Sequence, residues 1–349
     1  MNWFETAQNH IASKLPFALF CKPNSHKIIS VFQKNDQLFV LNDFTENGFA
    51  FVSFDGNQKI YLPLLECNVI VDTLVDTDFH LSKEPNNEID PNAKINFENL
   101  VEKGVQAIHN NEFRKVVLSR KEVVETSLDA IRIFKSLLFH YKTAFNYCFY
   151  HPKVGLWIGA TPEQFIKIEN TTLHTVALAG TQLFDNELVW ESKEKEEQQL
   201  VTEFIAENLN LFSEKVSVSK PKTIQAGNLA HLKTDIEAII DQNDLGEIIQ
   251  KLHPTPAVCG LPKEPAMKFI NENENYDREF YTGFLGELNV DFTTYKTTNS
   301  DLFVNLRCMK LEDQLASVYV GCGITKDSQP EKEFWETVNK SMTIKKRLV

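Results

Sequence analysis

Glu194-Lys195-Glu196-Glu197 opens a stretch in which Leu200, Val201, Phe204, Ile205, Leu209 and Phe212 form one apolar stripe at helical spacing, predicting a long helix that starts near Lys193. Glu197 lies three and four residues before Leu200 and Val201 and so projects from the apolar side, with Glu194 one turn further back. Most glutamates in such a run are solvated, but a carboxylate on the buried side of a helix is costly unless a cation meets it. Near the other end of the chain, Glu333, Glu336 and Lys340 follow at i, i+3 and i+7, two carboxylates and an ammonium on one helix face. Periodicity alone favours an exposed, salt-bridged surface there. The chemical alternative is that this face meets Glu197 across a cleft. Two glutamates from two helices would suit Mg2+, which commonly takes one or two carboxylates, keeps several waters and draws remaining ligands from its substrate.

Three other segments carry polar groups in unusual places. Trp157-Ile158-Gly159-Ala160-Thr161-Pro162-Glu163 ends a strand with a tight turn and a carboxylate. Phe303-Val304-Asn305-Leu306-Arg307 puts an arginine at the end of an apolar strand, where it needs an anionic partner, either structural or a ligand carboxylate. Lys115 immediately precedes Val116-Val117-Leu118, and a lysine at a strand edge is usually a solubilising gatekeeper. Leu252 to Gly260, with prolines at 254 and 256, reads as a rigid extended wall or as a structural loop. Phosphate-binding and dinucleotide fingerprints are absent, since Gly283 and Gly286 stand alone.

The elements that must hold these groups follow from periodicity. Residues 1–90 alternate short apolar runs with turn signals (28–32, 38–41, 49–54, 60–65), a meander of strands forming the β-rich N-terminal portion of the domain. A polar stretch from Ser82 to Asn96 separates it from residues 91–349, where the chemistry lies. There, helices are expected around 97–108 and 128–141, and strands at 115–124, 145–150, 154–158, 164–168 and 173–179. Ser328-Gln329-Pro330-Glu331 reads as a capping box starting a last helix whose apolar edge is Trp335, Val338 and Met342. Helices followed by paired strands, without strict alternation, predict an α+β fold with antiparallel sheets.

With 36 basic and 48 acidic residues the net charge is −12, which argues against nucleic acid and anionic membrane as partners. An anionic substrate must therefore be drawn in by local cations or a metal. The six cysteines are scattered with no metal-ligand spacing, as expected of buried free thiols in a reducing compartment. No apolar run approaches a membrane span, so a cytoplasmic protein, monomeric by default, is expected.

Taken in order, the segments resemble the chorismate-utilising enzymes: isochorismate, salicylate, anthranilate and aminodeoxychorismate synthases. The resemblance is carried by Lys115 to Arg120, Gly159 to Glu163, Ala177 to Thr181, the Glu197 helix, His231 to Thr234, Leu252 to Gly260, Asp277 to Tyr281, Leu306 to Cys308, Gly321 to Ile324, and Phe334 to Thr337. It implies a single domain of two packed antiparallel sheets flanked by helices. Lys115, where anthranilate enzymes usually carry glutamine, together with Ala179 and Ala257, resembles the isochorismate synthase branch. That branch converts chorismate to isochorismate with Mg2+, for menaquinone or siderophore synthesis. The rival readings are a salicylate synthase, which then eliminates pyruvate, and a non-catalytic chorismate-binding protein. The resemblance implies Lys115 as general base, kept neutral by desolvation, and Glu163 as general acid with a raised pKa and His231 as its neighbour. It implies Glu197 and Glu336 as magnesium ligands, with Glu194 and Glu333 as outer or alternate ones. Arg307 and Tyr281 would grip the enolpyruvyl carboxylate and Lys340 would support the ring carboxylate, with Gly180, Thr181 and Gly323 also at the substrate. Gln182 and Gln198 depart from the family's usual arginine and histidine.

Overall fold

The computed structural model describes residues 3–74, 89–185, 188–226 and 229–348; the side chains of Thr181, Leu183, Lys193, Ala226 and Leu229 lie outside the description. The chain begins with α1 (Trp3–Ala12), β1 (Phe17–Cys21), β2 (Lys27–Gln33), β3 (Phe39–Val40), β4 (Gly48–Val52), β5 (Lys59–Pro63) and β6 (Cys67–Thr73). Then come α2 (Pro91–His109), β7 (Lys115–Glu125), α3 (Ala130–His140), β8 (Phe145–His151), β9 (Gly155–Thr161), β10 (Gln164–Glu169) and β11 (Thr172–Leu183). The middle holds α4 (Ser192–Leu209), β12 (Val216–Val218), β13 (Lys222–Ala226), β14 (Leu229–Ile239), α5 (Leu245–Leu252), β15 (Gly260–Leu261) and α6 (Lys263–Asn273). It ends with β16 (Phe284–Leu288), β17 (Asn299–Val304), β18 (Cys308–Glu312), β19 (Leu315–Ile324) and α7 (Pro330–Lys345).

The strands form two sheets, ordered β15-β7-β19-β18-β9-β8-β1-β2-β6 and β12-β14-β11-β10-β17-β16-β4-β5-β3, with β13 added beside β14. The pairings described in both sheets are antiparallel, so the expected α+β architecture of two packed sheets is what forms. The N-terminal strands extend both sheets at one end, β1-β2-β6 in the first and β4-β5-β3 in the second.

Phenylalanine fills the space between the sheets. Phe145 of β8 stacks on Phe303 of β17 at 4.3 Å, and Phe51 of β4 meets Phe149 of β8 at 4.6 Å. The outer face of the first sheet is covered by α1 and α3 over one half and by α2, α6 and α7 over the other. The second sheet is covered by α4 and α5, through Val201, Ile205, Leu209, Ile248 and Ile249. All six cysteines are free and buried.

Local signals explain most boundaries. Asp90 caps α2 by accepting from Asn92 N, with Pro91 in the first turn, so residues 91–96 of the expected linker are helix; residues 82–88 lie outside the described residues. Asp129 caps α3 through Ile131 N and Arg132 N. Three expectations are corrected. Ser328 does not close a capping box: its Oγ accepts from Thr325 N, and α7 starts from Gln329 with no side-chain cap. Trp335 is 42% exposed, and α7 buries Glu333, Phe334, Thr337, Ser341 and Ile344 instead. The 252–260 run is not extended: α5 ends at Leu252, and Val258 N and Cys259 N both fold back on Thr255 O. Helix α1 lies outside the strand meander expected of residues 1–90 and buries Trp3 and Ala7.

Phe51 is fully buried between Phe149, Trp157 and Phe280. Phe51→Ala is expected to cost about 3–5 kcal/mol in denaturant unfolding, whereas Leu65→Ala, at an 87% exposed position, should stay within about 0.5 kcal/mol of the parent.

Candidate active site

The sheets diverge around a cleft with a water-accessible interior of about 120 Å³, walled by residues from both sheets, α4 and α7. The turn after β9 delivers Pro162 and Glu163, whose carbonyl is tied to Val304 N at 3.0 Å. Strand β11 supplies Leu178, Ala179 and Gly180, and β14 supplies His231, paired with Thr181 across the ladder. Helix α4 contributes Glu194 and Glu197, and α7 contributes Glu336 and Lys340. Tyr281 enters from the turn before β16, Arg307 from the turn after β17, and Gly323 from β19.

Lys115 sits behind this wall. It is completely buried at the start of β7, with Nζ 2.8 Å from Glu197 Oε1. It escapes the strand-edge role because β15 pairs alongside it, Leu261 opposite Lys115. A Cβ at Gly323 would lie 2.5 Å from Glu197 Oε1 and 3.2 Å from Lys115 Cε, so only glycine lets the strand pass this close to the ion pair. Gly180, at φ +72°, is equally confined, its missing Cβ 2.9 Å from Glu194 Cβ.

The remaining cations are held by α7. Lys340 Nζ contacts Glu336 Oε1 at 2.7 Å and donates to Gly321 O at 3.1 Å. Burial works against its ammonium, but the Glu336 carboxylate outweighs burial and holds the pKa above the ordinary lysine value. Arg307, in the left-handed region at φ 46°, donates to Thr343 Oγ1 at 2.8 Å and stands in the field of Glu336 and Glu163.

Two titratable groups are shifted toward neutrality. Burial pushes Glu163 up to about 7, against the pull of Lys115, Lys340 and Arg307. Burial, with Lys340 and Arg307 nearby, pushes His231 down to about 4. Its Nδ1 lies 3.3 Å from Gly180 O, and since a carbonyl only accepts, Nδ1 carries the proton.

Glu333 is buried on α7 but does not line the cleft, and the side chain of Thr181 lies outside the described residues. Gln198 is buried and braces α4 to the second sheet, donating to Thr234 Oγ1 at 2.6 Å and Ala177 O at 3.4 Å. Sequence reasoning gave no role to Tyr319 and Gly321, which also line the cleft. Period two along β19 places Tyr319, Gly321 and Gly323 on one face, a signal that could have found them.

Glu194, Glu197 and Glu336 bring hard oxygen donors to one cleft, and Glu194 Oε2 is a buried acceptor with no hydrogen-bond partner. Lysines meet the other two, so Glu194 is the carboxylate most in need of positive charge. No cage of three or more acidic, histidine or cysteine side chains is preassembled among the described residues.

Comparison with known proteins places these features in context. A family described as chorismate binding enzymes matches residues 68–349. Isochorismate synthase MenF of Escherichia coli is 28% identical over 266 residues, covering 71% of this chain and 59% of that protein. Anthranilate synthase component 1 of Thermococcus kodakarensis is 27% identical, covering 72% and 60%. A salicylate biosynthesis isochorismate synthase of Pseudomonas aeruginosa is 30% identical over 268 residues, covering 71% and 53%. The chain thus spans between 53% and 60% of the length of these relatives. The structure of DhbC from Bacillus anthracis superposes with a TM-score of 0.80 at 22% identity, over 99% of both chains. That of MenF from Escherichia coli gives 0.79 at 22% identity, over 96% of this chain and 89% of its own.

The raised Glu163 has a thermodynamic consequence. Its folded-state pKa of about 7 lies above the unfolded value, so its contribution is favourable at low pH and is lost as pH rises through 4.5 to 7. Glu163→Gln removes that penalty. Melting curves should show the variant gaining on the parent between pH 5 and 8, by up to roughly 3 kcal/mol at about 1.4 kcal/mol per pH unit. A pH-independent difference would mean the carboxyl is not held neutral.

Proposed function

This chain belongs to the family of chorismate-binding enzymes, and on that premise we propose that it is an isochorismate synthase. The carrying observation is one cleft lined by Glu163, Arg307, Lys340 and Glu197, with the buried Lys115 behind its wall in contact with Glu197. Identity alone does not separate the branches, because isochorismate and anthranilate synthases match about equally well. The chemistry of the cleft favours a water nucleophile: an amine-using enzyme has no need of a lysine base, whereas hydration at C2 needs a group to take the water proton.

Chorismate is a dianion, and a protein of net charge −12 must bind it through local positive charge. Arg307, with Tyr281 beside it, grips the enolpyruvyl carboxylate. Lys340 supports the ring carboxylate from the floor of the cleft. When bound between Glu197 and Glu336, with Glu194 as a further acceptor, Mg2+ supplies charge to neutralise the ring carboxylate and hold it in place. Lys115, beside the gap left by the absent Gly323 side chain, takes the proton of the water whose oxygen bonds to C2. The ring double bond shifts, the C4–O bond breaks, and Glu163 donates its proton to the departing hydroxyl. His231, neutral and acceptor-bearing at Nε2, adds no positive charge of its own to that carboxyl. After turnover Lys115 holds a proton that Glu163 has lost, and exchange with solvent resets both.

Incubation with chorismate and Mg2+ tests the reading directly. Isochorismate supports it, salicylate with pyruvate makes the chain a salicylate synthase, and no product leaves only chorismate binding.

Lys115→Gln should lower kcat by roughly 10²–10⁴-fold, the range for a positioned base, while chorismate KM changes little because the carboxylate grips remain. A variant turning over at close to the parent rate would remove Lys115 from the reaction. Glu336→Gln should weaken Mn2+ binding, read by electron paramagnetic resonance with chorismate present, and cost several kcal/mol of transition-state stabilisation. Unchanged ion affinity would take Glu336 out of the metal site.

A further inference from the structure

Arg278 precedes Tyr281 in the turn between α6 and β16, is buried, and does not itself line the cleft. All five of its N–H donors are used. Nε and Nη2 hold Glu274 Oε2 and Oε1 at 2.8 and 2.6 Å. Nη2 also reaches Val117 O at 2.7 Å, while Nη1 reaches Val258 O at 3.0 Å and Thr282 Oγ1 at 3.3 Å. Val117, Val258 and Thr282 line the cleft from three separate segments: β7, the loop before β15, and the turn before β16. Glu274 is in turn fixed to β7 by Ser119 N at 2.6 Å and Ser119 Oγ at 2.9 Å.

The turn that Arg278 clamps is strained. Glu279 and Thr282 take left-handed backbone angles, φ 50° and 63°, and a β-branched residue there is an outlier. Such a conformation persists only where its surroundings over-determine it. Here it directs Tyr281 and Thr282 at the cleft, with Tyr281 stacked on Tyr319 at 5.4 Å.

We propose that Arg278 is a positioning residue for the reaction: its planar fork locks the carbonyls of Val117 and Val258 to the Tyr281–Thr282 turn. It thereby sets the separation between the strand carrying Lys115 and the opposite side of the cleft. This rests on the isochorismate synthase reading for its kinetic consequence, not for its structural one. A lysine in its place keeps a charge for Glu274 but lacks the rigid fork needed to hold two carbonyls at once.

Arg278→Lys, studied in the full chain, should melt within a few degrees of the parent. It should lose about 10²-fold in kcat, the scale of an ångström-sized misplacement, with chorismate KM within about three-fold. Amide hydrogen exchange should speed up at Val117, whose N–H bonds to Cys259 O at 2.7 Å, and through residues 255–259, while α1 and α3 stay protected. Parent-like kcat, or unchanged exchange in those two segments, overturns the proposal. If Arg278→Lys fails to fold, Glu274→Gln, which turns one acceptor of the fork into a donor, is read by the same two measurements. If the parent forms no isochorismate, the activity reading fails by itself and the exchange comparison still decides the positioning role.

Discussion

The buried contact between Lys115 and Glu197 constrains the whole arrangement of this protein. A lysine with no solvent exposure needs a polar partner, and leaving one side of such a buried pair unmet is costly. The lysine starts a strand of the first sheet and the glutamate sits on the helix that covers the second. Their contact therefore fixes where the two layers approach at the cleft end. It also fixes which residue may lie between them: Gly323 has no side chain because the ion pair occupies its space. The register of β19 against β7 sets Gly323 opposite Val117, beside that contact.

Charge in the cleft is arranged by helix more than by sheet. Helix α7 carries Glu336 and Lys340 one turn apart and receives the Arg307 guanidinium at Thr343, so one element sets an anion and two cations. Helix α4 faces it with Glu194 and Glu197. The same cleft holds Glu163, whose carboxyl is pushed up to about 7 because burial outweighs three nearby cations.

Much of this was legible in the chain, and what was not has identifiable causes. The strands from Lys115 to Leu183 follow their apolar positions to within a few residues, because each buries at least one face along most of its length. Lys115 looked like a surface lysine because the edge it occupies is covered by β15, nearly 150 residues away in sequence. Only the family resemblance singled it out. Glu333 and Glu336 seemed to share a face, but three residues at 3.6 per turn leave them about 60° apart. That angle is enough to turn Glu333 into the protein beside Phe334 while Glu336 reaches the cleft. The folded-back loop at 255–259 was misread because proline stiffness is local, whereas the bonds to Thr255 O that bend it depend on the chain around them.

The phenylalanine seam between the sheets bears on how such a protein could be divided or recombined. Phe20, Phe49 and Phe51 come from the N-terminal strands, while Phe145, Phe149 and Phe303 come from the part that builds the cleft. The two portions differ in chemical duty, yet neither owns a complete interior. A gene fusion that borrowed residues 91–349 alone would carry the cleft together with a bare aromatic face and two unpaired strand edges, at β8 and β16. Shuffling of this fold therefore favours the exchange of whole sandwiches over a cut at the boundary between its halves.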